Sequence, residues 1–291
     1  MNELTAKLIK QLKRIQLVAS DLDGTLLNNE GKITDATRQS VLDLKEFGVK
    51  FAIMTARAHS SAARIADELD ASMPIISLDG GLVRLPHGER NIFASYIKPN
   101  ITKRVIAETD KRFASITLFV DDKMVRREPE TMLPSYIDSF ELDTMEVDDL
   151  NSVVQKTIQI IVGADSKFAV TSIARKSLGF FSRVNAVIYK SSHHDGRWYL
   201  DIKNKNHSKA TGLTYLEKYL HISKDQVAVL GDFQNDIEAF EHAGIGVAMK
   251  NAVWELKEKS NMVTEKSNDE DGAAEFFKLI YKIRTDLVHQ S

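Results

Sequence analysis

The chain has 291 residues, 43% hydrophobic and 27% charged, which is an ordinary globular balance and enough length for a core domain plus a smaller one. With 39 Lys and Arg against 41 Asp and Glu, the formal charge is only −2, so there is no general electrostatic case for DNA, RNA or an anionic membrane as a partner. The absence of cysteine excludes disulfides, thiolate catalysis and cysteine-ligated metal centres and points to a cytoplasmic setting; the apolar runs are short, the most convincing being Ile158 to Val162 with Gln159 inside it, and none approaches the roughly 20 residues that span a bilayer.

Met1 to Lys13 carries Leu4, Leu8 and Leu12 at helical spacing and reads as a surface helix leading into the first strand. From residue 14 the pattern alternates quickly. A strand over 14–20, a helix over 34–47 capped near Thr34 and stopped at Gly48, a strand over 50–54, a helix over 60–70 and a short strand over 75–77 give a βαβαβ unit. Such crossovers predict a parallel sheet covered by helices on both faces. After Asp79-Gly80-Gly81 the character shifts to hairpins. Leu82-Val83-Arg84 and Asn91-Ile92-Phe93 flank a turn, and a helix over 101–112, strands at 116–120, 124–126 and 158–162, a helix over 166–178 and strands at 184–189 and 198–202 follow. The first architecture then resumes with a helix over 208–220, an interior strand over 227–230, a helix over 236–242, a strand at 245–247 and a closing helix around Phe276 and Ile280. We therefore expect a core domain in two parts, 1–81 (with 1–13 a helical extension) and 191–291, interrupted by an inserted α+β domain over 82–190.

The chemistry is expected just beyond the carboxyl ends of the interior strands. The run Leu17-Val18-Ala19-Ser20 opens into Asp21-Leu22-Asp23-Gly24-Thr25, where Gly24 lets two carboxylates approach one point. Clustered carboxylates repel, and a hard divalent cation relieves that repulsion with oxygen ligands. The strand over 227–230 opens into Gly231-Asp232-Phe233-Gln234-Asn235-Asp236, a second acidic group, and the two together make an oxygen-rich site suited to Mg2+. A third strand end offers Thr55-Ala56-Arg57, with a hydroxyl, amides and a guanidinium for phosphoryl oxygens. Lys209 opens a helix, where a cation is electrostatically misplaced unless it has a task. Each segment alone also has a plain reading: a strand-ending aspartate and ordinary turn, a helix cap at Asn235 or Asp236, a capping threonine, a solvent-facing lysine. His193-His194-Asp195 reads as a solvated hairpin turn. Lys103-Arg104 and Arg126-Arg127 read as surface, and Phe113, Phe119, Phe180 and Phe181 as packing residues.

Taken in this order, Asp21-Leu22-Asp23-Gly24-Thr25, Thr55, Lys209 and Gly231-Asp232-Phe233-Gln234-Asn235-Asp236 resemble the haloacid dehalogenase-like phosphohydrolases, Cof-type members with a C2-type α/β cap above all, over nearly the whole chain from Arg14. The resemblance implies a Rossmann-like parallel-sheet core with an inserted α+β cap, and a phosphatase. It implies that Asp21 attacks phosphorus to form an aspartyl-phosphate and that Asp23 protonates the leaving oxygen and then helps to activate water. Lys209 and Thr55 would hold the phosphoryl group, with Ala56, Arg57, Gly80 and Asn235 joining the substrate-binding set. Mg2+ would be held by Asp21, the Asp23 carbonyl and Asp232, with Asp236 and Asn235 ligating or organising its surroundings. The expected substrate is a small phosphorylated metabolite, with sugar phosphates as the leading class; neither nucleic acid nor membrane is expected as a partner. A sugar phosphomutase and a non-catalytic metabolite-binding regulator are the competing functions. The chain departs from the family pattern in having Ala56 where glycine is frequent, Asp79 where asparagine is frequent, and the bulky Phe233 beside the acidic loop.

Overall fold

The computed structural model describes residues 5–127, 143–179, 183–190 and 196–288. These fall into two compact units, one comprising Met1–Ala56, Ala62–Ile92 and Ser208–Ser291, the other Arg57–Ser61 and Phe93–His207. His193-His194-Asp195, Phe180 and Phe181 lie outside the described residues. Among the described residues no helix is long and apolar enough to cross a membrane.

In the first unit, β1 (Leu17–Ser20), β2 (Lys50–Ile53), β12 (Val227–Gly231), β13 (Ile245–Ala248) and β14 (Met262–Val263) form a parallel sheet in the order β14-β13-β12-β1-β2. These strands are apolar on both sides because helices cover both faces. Val18, Phe51, Ala228 and Ile245 stand in one register and join a single buried cluster with Val41 and Leu44 of α2 (Asp35–Glu46) and Phe276, Phe277 and Ile280 of α9 (Gly272–Val288). The Phe51 and Phe277 rings meet edge to face at 5.8 Å. The alternate residues Leu17, Ala19, Val227 and Val229 are equally buried. So are Leu213 and Leu216 of α6 (Lys209–Leu220), Ala239 and Phe240 of α7 (Ile237–His242) and Leu256 of α8 (Trp254–Lys259). As its sequence suggests, α2 begins at Thr34, whose hydroxyl accepts the Thr37 N–H at 3.1 Å, and the chain turns at Gly48 with φ +69°. The N-terminal helix α1 (Ala6–Leu12) is not merely a surface helix, since Leu12 is fully buried in the same cluster.

Beyond α3 (His59–Glu68), β3 (Ile75–Ser77), β4 (Leu82–Arg84) and β5 (Asn91–Ala94) form a three-stranded sheet, and a Met54–Ile76 bridge sets β3 beside the end of β2. Because β4 pairs with β3 through three residues, it belongs to the first unit and not to the insertion that the sequence suggests to begin at residue 82.

The second unit is a six-stranded sheet in the order β10-β11-β9-β6-β7-β8, built from β6 (Ser115–Val120), β7 (Lys123–Arg127), β8 (Thr144–Val147), β9 (Thr157–Ala164), β10 (Val184–Lys190) and β11 (Trp198–Asn204). Alternation places Ile116, Leu118, Ile160, Val162, Leu200 and Ile202 on one face, where they pack with Ile101 and Val105 of α4 (Pro99–Asp110) and Val170 and Ile173 of α5 (Lys167–Ser177). β11 lies between β9 and β10 by antiparallel pairing on both sides, so it is part of this unit, whereas the sequence suggests that residues 191–291 belong wholly to the core. Arg126 and Arg127 are ordinary surface ion pairs with Glu146 and Asp110. Phe119 is buried as expected, whereas Phe113, a left-handed residue, is 99% exposed and is not part of the packing.

Candidate active site

The sheet order explains why two distant acidic segments meet. From β1 the chain proceeds to β2 on one side, while β12 and β13 continue on the other, so the gap past β1 and β12 is the point where the strand order reverses, the usual place for a ligand in such sheets. Ser20 pairs with Leu230, and the Asp21 N–H donates to the Leu230 carbonyl at 3.1 Å, which sets Asp21 beside the start of the Asp232 loop.

Lys209 sits at the centre of the cluster. Ser208 caps α6 by accepting the Thr211 N–H, and the first helical residue turns its side chain inward, where it is 1% exposed. Its Nζ lies 2.9 Å from Asp21 Oδ1 and 2.6 Å from Asp236 Oδ1. Burial alone would favour neutral lysine, but the charges of Asp21, Asp236 and Asp79 outweigh it and hold the ammonium above its ordinary pKa. The solvent-facing alternative is thereby removed. Asp236 is fully buried, and its Oδ2 accepts the Asp232 and Phe233 N–H groups, both at 3.1 Å. It therefore has a double role, fixing the loop as a capping residue does and partnering Lys209. Asp232 is half-buried, and its Oδ1 accepts the Thr25 hydroxyl at 3.0 Å.

Asp21, Asp232 and Asp236 each present an oxygen within 4.8 Å of the others. Three carboxylates here face one ammonium. Burial pushes Asp21 well above the carboxylate range, with Asp236 and Asp232 adding to the rise and Lys209 opposing it, and burial lifts Asp232 to about 6. An oxygen-only donor set short of positive charge fits a hard divalent cation. Asp21 and Asp232 suit the ligand role better than Asp236, whose two oxygens are already engaged by Lys209 and two amides.

The remaining sequence candidates are distributed around this centre. Asp23 is exposed at the turn past β1. Thr55 is buried, with its N–H committed to the Ile76 carbonyl at 2.8 Å, so that amide is not offered to a phosphoryl oxygen. Ala56 is exposed, and Arg57, half-buried, is counted with the second unit. Asn235 is exposed and donates from Nδ2 to Asp79 Oδ1 at 2.9 Å. Gly80 adopts φ +88°, and a Cβ there would fall 2.0 Å from the Ser208 carbonyl oxygen and 2.9 Å from the Lys209 nitrogen. Gly80→Ala is accordingly expected to destabilise the protein by about 2 kcal/mol or more and to reduce turnover by displacing the start of α6, as denaturant titration and steady-state kinetics would show.

Two supporting residues were not recognised from sequence. Thr25, which in the sequence stands out only as part of the opening motif, orients Asp232. Asn251 donates to the Gly24 carbonyl at 2.7 Å and so clamps the turn between Asp23 and Thr25. It follows β13, at a strand end of the kind where such sheets place their sites.

Comparison with known proteins agrees with this geometry. The family model described as haloacid dehalogenase-like hydrolase matches residues 18–277. The 5-amino-6-(5-phospho-D-ribitylamino)uracil phosphatase YwtE of Bacillus subtilis (strain 168) is 29% identical over 280 residues, covering 90% of this chain and 96% of its own. From the same organism, 5-amino-6-(5-phospho-D-ribitylamino)uracil phosphatase YitU is 26% identical over 273 residues, covering 92% and 98%. Among solved structures, TM0651 from Thermotoga maritima matches with a TM-score of 0.79 at 25% identity, covering 91% of this chain and 97% of that one. With a parallel-sheet core, a separate largely antiparallel unit and two acidic strand ends, the chain belongs to the haloacid dehalogenase-like hydrolases, as a Cof-type phosphatase.

Proposed function

We propose that the protein is a cytoplasmic, Mg2+-dependent phosphatase of a small phosphomonoester, a sugar phosphate or phosphorylated polyol, working through Asp21. The observation that supports this most directly is the buried pairing of Asp21 with Lys209 at 2.9 Å beside Asp232. A carboxylate with a cationic neighbour at the mouth of a parallel sheet can meet a phosphoryl group whose charge that neighbour offsets. The names of the two ribityl-type phosphatases specify a phosphate on a polyol chain, and this reading takes over that class.

An Asp21 oxygen attacks phosphorus as the bond from phosphorus to the leaving oxygen breaks, and Asp23 gives its proton to that oxygen. Water then attacks the aspartyl-phosphate, Asp23 takes up its proton, and the bond from phosphorus to Asp21 breaks, restoring the carboxylate and freeing phosphate. Lys209 and the Thr55 hydroxyl hold the phosphoryl oxygens, and the Ala56 amide and the Gly80 turn complete that cradle. Asp21, the Asp23 carbonyl and Asp232 would hold Mg2+, with Asp236 and Asn235 organising the loop around it. When bound, the ion supplies positive charge against the transferring phosphoryl group. Selection of the organic part is assigned to the inserted unit as a cap.

The test is a phosphoester panel with Mg2+. Release of free phosphate from a monoester is expected; conversion to an isomeric sugar phosphate without stoichiometric phosphate would establish a mutase, and inactivity across the panel a regulator. Chelation with EDTA is expected to abolish turnover and Mg2+ to restore it. Added Mg2+ should also raise the melting temperature of the parent but not of Asp232→Asn, a readout independent of activity.

A further inference from the structure

The turn that carries Asp23 closes on Leu22, whose carbonyl accepts the N–H groups of Thr25, Leu26 and Leu27 at 3.2, 2.9 and 2.9 Å, and Asp23 bridges to Leu27. Asp23 is exposed, and where its carboxylate can reach is set by the backbone that bears it. Gly24, the next residue, takes φ +75°, and a Cβ there would fall 2.3 Å from Asp232 Oδ2. Glycine fits this narrow space at the cost of bringing the greatest backbone freedom to the point beside Asp23. Two asparagines restrain it from outside. Asn251 Nδ2 donates to the Gly24 carbonyl at 2.7 Å, and Asn268 Nδ2 donates to the Leu27 carbonyl at 3.0 Å. They are linked to each other, since the Asn268 N–H donates to Asn251 Oδ1 at 3.0 Å, and Asn268 is buried. The stretch that bears Asn251 is bonded in turn to the other acidic strand end: the Met249 N–H donates to the Gly231 carbonyl at 3.0 Å and the Val253 N–H to the Asp232 carbonyl at 2.9 Å. Residues 249–253 therefore join the Asp232 loop by their backbone and the Asp23 turn by one side chain.

We propose that Asn251 and Asn268 are positioning residues for proton donation: by tying the Asp23 turn to the Asp232 loop they set the Asp23 carboxyl at the leaving oxygen, and they act through Asp23 rather than on the substrate. The inference rests on the phosphatase reading and deepens it. A general acid works only within hydrogen-bond reach of the oxygen that it protonates, and a misplacement of about 1 Å can cost about 10²-fold. Released at Gly24, the turn keeps its internal bonds to the Leu22 carbonyl and so persists, but it loses the tie that fixes it relative to Asp232. Proton donation matters most for a leaving oxygen that is a poor anion, as a polyol alkoxide is, and least for one that departs as a stable anion, as p-nitrophenolate does. The contribution of the asparagines is therefore expected in how the rate depends on the leaving group, where damage of a general kind leaves no mark.

The experiment uses the full chain with saturating Mg2+ and measures kcat/KM, which reports the step that expels the leaving group, on p-nitrophenyl phosphate and on phenyl phosphate. Phenol, with a pKa of about 10 like the tyrosine side chain, is the leaving group in greater need of a proton. Both esters bring one phosphoryl group on one ring, so their ratio cancels effects on phosphate binding, on the metal and on the folded fraction. Asp23→Ala calibrates the ratio and is expected to widen the preference for p-nitrophenyl phosphate about 10²-fold. Asn251→Ala is expected to widen it about tenfold, as is the isosteric Asn251→Asp, which still accepts from the Asn268 N–H but, ionised, has no donor for Gly24. Added to Asp23→Ala, Asn251→Ala should leave the ratio where Asp23→Ala puts it, because both act through one carboxyl. Merely structural damage lowers both esters alike and keeps the parental ratio. A parental ratio in the Asn251 variants, where Asp23→Ala widens it, overturns the inference alone, as does further widening in the double variant. If neither Asn251 variant folds, Asn268→Ala decides by the same ratio. An unmoved ratio in Asp23→Ala overturns the acid assignment and the inference with it, and a parent without turnover on these esters and the wider panel overturns the phosphatase reading and the inference together.

Discussion

Asp21→Asn is expected to lower turnover of every phosphoester by at least about 10³-fold while leaving the protein folded. The amide lacks the anionic oxygen that must bond to phosphorus, and no neighbouring carboxylate is an equivalent substitute. Asp236 is committed to Lys209 and two backbone amides, and Asp232 is turned toward Thr25. The fold should not suffer, because the asparagine carbonyl can still accept from Lys209 and the change removes one negative charge from a buried cluster that has an excess of them. Circular dichroism and thermal melting of the metal-free proteins would check this, the variant melting at or above the parent. Parental turnover in Asp21→Asn would eliminate the assigned nucleophile outright.

Lys209→Ala is expected to lose both activity and stability, the latter by about 3–5 kcal/mol. Removing a buried ammonium strands the carboxylates that it neutralises, and Asp236, with no exposure, cannot regain water. The cost should appear as a lower denaturant midpoint. Adding Asp236→Asn to Lys209→Ala should recover part of the lost stability, since it deletes the stranded charge, but none of the lost turnover. Additivity of the two substitutions would contradict the direct coupling seen at 2.6 Å.

Much of this was legible in the sequence because two strong signals coincided. The interior strands are unbroken apolar runs, and the polar residues that end β1 and β12 stand out against them. Helices such as α2 declare themselves through a capping threonine, an apolar period and a terminal glycine. What remained hidden was hidden for identifiable reasons. β14 has only two residues and β8 is short and largely exposed, so neither leaves a hydrophobic period, and α8 has Val253 at its cap position, which offers no capping side chain. The limits of the insertion depend on which strands pair, and short apolar segments such as β4 and β11 do not encode their partners. At the site, residue types announced an acidic centre. The division of labour between Asp232 and Asp236, the inward turn of Lys209 and the left-handed run at Leu78-Asp79-Gly80 emerge only from tertiary contacts.

The adjacency of β1 and β12 has a consequence for biosynthesis. Thr25 and Asp232 are hydrogen-bonded although they lie 207 positions apart, so the nascent chain must carry β1 without one of its two neighbours until β12 has left the ribosome. Until then an apolar strand offers an unpaired edge, a template for wrong pairing that chaperones would be needed to shield. The carboxylates of the site thus come together only once β12 has been made and docks beside β1, and molecules that stop short of it should show no partial activity.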